Sequence, residues 1–186
     1  MVAIRNLFTA ALALATPIAA ALTPAQMVEN IKMVTQKSQA LQAPAQSITI
    51  INGPLLIIGQ GPFPQIIAGF TDIISTAATA VGQMQGSNPV KAGAESDDIF
   101  NAFRDFVRVH QVLLNILIGK AGLFTTVPVI GQPVAAVLRQ LENVVDTLAF
   151  GTIDLVESRA ADLQREANSL GATFDICINS YKGIST

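Results

Sequence analysis

Between residues 38 and 90 the chain carries one charged residue, Asp72. The run ITIINGPLLIIGQGPFPQIIAGF lies inside that stretch and is apolar enough to suggest a membrane span. Pro54, Pro62 and Pro64, with Gly53, Gly59 and Gly61, break it well short of the ~20 consecutive residues a spanning helix needs. The surplus of apolar side chains therefore predicts a ligand cavity, an interface or an adhesive outer face. It points to binding rather than to catalysis.

The first residues read as an export signal. Arg5 supplies the positive start, LFTAALAL the short apolar core, and Ala19-Ala20-Ala21 the small residues of a cleavage site. The expected division is a secretory signal peptide over 1–21 and a single helical-bundle domain over 22–186. No transmembrane segment is expected in the mature chain, and the polar ending DICINSYKGIST lacks the hydrophobic tail of a lipid-anchor signal. The expected location is secreted and extracellular. A lone Cys177 permits no intrachain disulfide, and its stripe with Phe174, Ile178 and Tyr181 makes it a buried apolar residue. No Asn-x-Ser/Thr acceptor occurs.

Charged residues make up 13% of the chain, against about 25% in an ordinary soluble domain, and they form no basic patch. With no Trp and one Tyr as well, nucleic acid is not an expected partner.

Periodicity gives an all-α reading: an antiparallel bundle of five or six helices with an apolar internal cavity. Thr23-Pro24-Ala25-Gln26 is a capping box with proline at the first helical position. Met27, Ile31, Val34, Ser38 and Leu41 follow as a seam that Pro44 should end. A short helix is expected over 46–58 and a longer one over 64–84. A third opens at Ser96 as cap, with the stripe Ile99, Phe103, Phe106, His110, Leu113, Leu114 and Leu117. Pro133 opens the longest signal, which runs to 170 through Gly151, and Gly171 separates a last helix over 172–181. Most charges on the last third read as a solvated face.

Chemistry is sparse. His110 is the only histidine, and no G-x-S-x-G elbow accompanies it. One His and one Cys do not make a zinc site, and neither Gly59-Gln60-Gly61 nor Gly119-Lys120 completes a nucleotide-binding loop. No cofactor is expected. The expected ligand lining is Ile66, Phe70, Ile73, Phe103, Phe106 and Leu114. His110 and Arg108 are expected to meet a polar head group, while His110 also reads as a hydrogen-bonded core histidine.

Three segments carry a resemblance: LTPAQMVENIKMVTQKSQALQ after the export signal, VLLNILIGKAGLF, and PVAAVLRQLENVVDTLAFGTIDLVES. Together they make residues 22–170 resemble the fungal hydrophobic surface-binding protein family, which includes cell-wall galactomannoproteins. The resemblance implies a secreted, non-enzymatic helical bundle that adsorbs to hydrophobic surfaces or holds fatty acids or other lipids, in association with the cell wall. The apolar surplus leaves the alternative of an interaction protein that self-associates or recruits a secreted hydrolase to hydrophobic substrates. The chain departs from the mannoprotein members in lacking a Ser/Thr-rich stalk, and it is richer in Ile and Pro between 48 and 74.

Overall fold

The computed structural model describes residues 21–124 and 131–182, so the expected export segment lies outside the described residues. Six α-helices follow in order: α1 (Pro24–Ala40), α2 (Gln42–Gln46), α3 (Phe63–Met84), α4 (Ala94–Ala121), α5 (Gly131–Leu155) and α6 (Ala160–Lys182). Among the described residues there is no strand. The fold is the expected all-α bundle.

The helix ends show where local sequence rules and where it does not. Thr23 caps α1 as expected: its Oγ1 accepts from Gln26 N at 3.3 Å, and Thr23 N donates to Gln26 Oε1 at 2.9 Å. Pro44 does not end the helix directly. It sits inside α2, and the break falls at Leu41, next to the Ala40 carbonyl that Pro44, four residues on, cannot bond. The expected helix over 46–58 is replaced by turns and a 3-10 helix, Gly53–Ile58. Ser96 is not the cap of α4 but its third residue. The helix starts at Ala94, and Ser96 Oγ bonds both the N–H and the carbonyl of Gly93.

Gly171, expected to separate a last helix, does not do so, since α6 passes through it, and Gly151 sits inside the continuous α5. The chain turns instead at Val156, where no Gly or Pro stands. There Val90 N donates to the Leu155 carbonyl at 2.7 Å, and Arg159 reaches Asp97 on α4 with Nε–Oδ1 2.9 Å. Tertiary bonds therefore set this corner. A Cβ at Gly171 would meet nothing within 4 Å, so Gly171→Ala should raise the unfolding free energy by about 0.5–1 kcal/mol. At Gly69 a Cβ would lie 2.3 Å from Leu41 Cδ2, so Gly69→Ala should lower stability. Parallel urea titrations of the two variants check the opposite signs.

Each long helix reverses the one before it, and the five long helices close into a ring: α1 against α3, α3 against α5, α5 against α6, α6 against α4, and α4 back against α1. Among these neighbours α4 runs parallel to both α1 and α6, and α3 runs parallel to α5. Five helices spaced 8–10 Å apart leave a centre about 8 Å from every axis, wider than a four-helix ring. Large side chains fill that interior. Phe63, Phe70, Phe103, Phe106, Phe124, Phe174 and Tyr181 are all buried.

α4 with the turn after it (Ala94–Phe124) is long and apolar enough to cross a membrane by length and composition. In this fold it packs between α1 and α6.

Candidate functional site

The six apolar residues expected to line a ligand site come together in the ring interior. Ile66, Phe70 and Ile73 project from α3, and Phe103, Phe106 and Leu114 from α4. All six are at most 1% exposed, so other protein atoms enclose them on every side. In this form they are packed core rather than the wall of an open cavity.

His110 stands in the same interior and is fully buried. Its ring lies 5.3 Å from those of both Phe106 and Phe174. Nδ1 is 2.8 Å from Ser38 Oγ on α1, and that hydroxyl also donates to the Val34 carbonyl at 3.0 Å. Ser38 has one proton, so its bond to Val34 leaves Nδ1 carrying the imidazole hydrogen and Nε2 a bare acceptor. If the hydroxyl turns to Nδ1 instead, Nε2 becomes an N–H donor. In both arrangements Nε2 is buried and has no partner among the described residues. Burial pushes the imidazole pKa down to about 3, so the ring is neutral at physiological pH.

The expected head-group pair is separated. Arg108 lies two residues along α4 on a different face and is solvent-exposed, because a two-residue step turns the helix by about 200°. Arg104 stacks over Phe100 and donates to Asn101 Oδ1 at 3.0 Å. Ser38 is the partner that sequence reasoning placed only on a seam. The signal was a hydroxyl on an otherwise apolar stripe.

Cys177 is buried as expected, and burial raises its thiol to about 12. Its shift and that of His110 run opposite to what a thiolate–imidazole pair needs near neutral pH. Tyr181, one turn further on, donates from its hydroxyl to the Leu117 carbonyl at 2.9 Å and packs against Phe124, which meets Phe63 edge-on.

Open grooves of about 380 to 490 Å³ lie elsewhere on the surface. One, between α5 and α6, holds Glu142, Asp146 and Asp175. Burial, then repulsion among these carboxylates, raises the pKa of Glu142 and Asp146. None of the three touches His110 or the six apolar residues.

Among the described residues, the outer surface has one concentration of apolar side chains. Of the eight large hydrophobic residues exposed among the described residues, Ile50, Ile51, Leu55 and Ile58 fall within nine positions. They sit in the connection from α2 to α3, at the end of the ring where the Phe63–Phe124–Tyr181 cluster lies.

No protein-family profile matches the chain, and no curated protein matches it. A solved structure does: AfMP4p in complex with palmitic acid. It aligns over 86% of this chain and 99% of its own, at a TM-score of 0.75 and 16% identity. The two chains share a fold.

Proposed function

We propose that this protein is an exported, non-catalytic binder of long-chain fatty acids and similar lipids, which it holds inside the five-helix ring. The observation that carries the reading is the orphaned Nε2 of His110, the one imidazole of the chain, set among aromatic rings with no partner. A neutral imidazole there suits a carboxyl group. As acceptor it takes the O–H of a fatty acid, and as donor it bonds a carboxylate oxygen. The fold shared with a protein solved with palmitic acid supports the same ligand class.

An acyl chain lying between α3 and α4 would exchange water for apolar walls at about 0.8 kcal/mol per methylene. Ile66, Phe70, Ile73, Phe103, Phe106 and Leu114 are the lining in this reading. The interior must open to admit it. Of the five ring contacts, that of α1 with α3 is the sparsest. The Lys37–Asp72 ion pair and the bond from Asn30 Nδ2 to Gln83 Oε1 at 2.8 Å tie that seam. Connections containing Gly59, Gly61, Gly86 and Gly93, all at positive φ, flank α3 on both sides. The broad contact of α3 with α5 argues against a parting there.

Purification without detergent, native mass spectrometry and lipid extraction test the reading. The expected result is one acyl ligand per chain, with His110→Leu weakening palmitate about tenfold through loss of one hydrogen bond. A protein that takes up no fatty acid even when palmitate is supplied would sink it.

A further inference from the structure

The exposed isoleucines belong to a segment whose polar groups bond one another. Thr49 N donates to Asn52 Oδ1 at 2.7 Å, Asn52 N to Thr49 Oγ1 at 3.2 Å, and Asn52 Nδ2 to the Ser47 carbonyl at 2.7 Å. Gly53 N bonds the Thr49 carbonyl at 2.9 Å, and Gln60 N the Leu55 carbonyl at 2.9 Å. Lys120, from the last turn of α4, donates its Nζ to the Ile48 carbonyl at 2.8 Å. A loop facing water needs few such bonds, since water supplies them. One that enters an apolar phase must satisfy its backbone internally. These bonds satisfy part of this segment's backbone internally while Ile50 and Ile51 stand 69% and 86% exposed.

Charge is distributed to match. Residues 41–63 and 114–124 contain no carboxylate, and Lys120 is the only charged residue in them. Glu95, Asp97 and Asp98 at the start of α4, Asp154 at the end of α5, and Glu157 and Asp162 stand at the opposite end of the ring. Four exposed apolar side chains are far fewer than the roughly 20–30 residues a side of a stable protein interface, whereas a soft lipid surface sets no such minimum. We infer that this carboxylate-poor end of the ring docks onto an anionic phospholipid membrane, with Ile50, Ile51 and Ile58 entering the interface, Lys120 at the headgroup level and the helices upright. The inference goes beyond the internal fatty-acid site and stands apart from it.

The chain has no tryptophan, so a single reporter can be placed without background. Ile51→Trp should shift its emission to the blue on mixing with phosphatidylcholine–phosphatidylglycerol vesicles and be quenched by brominated lipid. Phe150→Trp, exposed on α5 away from this end, should show neither. Ile50→Asp combined with Ile51→Asp should lower co-sedimentation with those vesicles at least about tenfold, leaving thermal unfolding and uptake of palmitate from solution unchanged. The proposal is overturned if Ile51→Trp does not respond, or if Phe150→Trp responds equally. It is also overturned if the double variant loses palmitate uptake with vesicle binding, since the patch would then belong to the internal site. Concentration-dependent dimers abolished by the double variant, without vesicle binding, would overturn it in favour of a second copy of the chain.

Discussion

Phe106→Ala should lower the unfolding free energy by about 3–5 kcal/mol, among the largest effects of any single substitution in this chain. Phe106 is fully buried, 6.0 Å from the ring of Phe103 and 5.3 Å from His110. It stands inside the five-helix ring, packed against Phe103 and His110, so its removal leaves a space its neighbours fill only in part. With a urea slope near ~2 kcal/mol per molar, the midpoint should fall by about 2 M. The same substitution hollows out the volume beside the His110 ring. Palmitate at a hundred times its dissociation constant should return about 2.7 kcal/mol, and more than it returns to the wild type if the ligand fills the vacated space. A loss below about 1 kcal/mol would show that the interior is not tightly packed there. A normal loss with no rescue by palmitate would place the ligand elsewhere.

Acidification should destabilise the protein through His110 alone among its buried bases. The imidazole pKa falls from 6.5 in the unfolded chain to about 3 in the fold, because burial disfavours the charged ring. A depressed base binds its proton more readily unfolded. Stability is therefore complete above pH 6.5 and drains away as pH falls toward 3, at about 1.4 kcal/mol per unit. By pH 4.5 the loss reaches about 3 kcal/mol. Glu142 and Asp146 act with the opposite sign, since their raised pKa values favour the folded state on protonation. The informative quantity is thus the difference between wild type and His110→Leu, each measured at pH 7 and pH 4.5. At pH 7 the variant should lie within about 1 kcal/mol of wild type, because Ser38 keeps its bond to Val34. At pH 4.5 it should be the more stable protein. Equal acid sensitivity in both would remove His110 as the cause.

The all-α class and the residues of the interior were legible because helical periodicity sorts them. Every member of the α4 stripe from Ile99 to Leu117 is buried. The cap at Thr23 was legible because it is local: three residues determine it. What failed was whatever the rest of the molecule decides. The α5–α6 corner depends on Val90 and Arg159 meeting distant partners, and glycine was the wrong marker for it. The 46–58 segment is a long apolar run, but Gly53, Pro54 and its β-branched isoleucines are poor helix formers. It winds into a 3-10 turn fixed by Asn52 and by Lys120 from another helix. The candidate site divides likewise. His110 was visible as an odd residue on an apolar stripe. Its pairing with Ser38, 72 positions away, followed only from the parallel packing of α1 and α4. Arg108 shared a helix with His110 and therefore invited grouping with it, yet helical rotation sends it outward.

An odd number of long helices, each reversing the last, has a practical corollary. α1 begins at the acid-rich end and α6 finishes at the isoleucine-bearing one, about 35 Å away along the axis. A tether on the amino side would hold the molecule by its water-loving pole and leave the greasy pole free. A fusion on the carboxyl side would stand in front of it. Two sensor chips bearing the same protein, immobilised by opposite termini, should therefore report different affinities for the same lipid film.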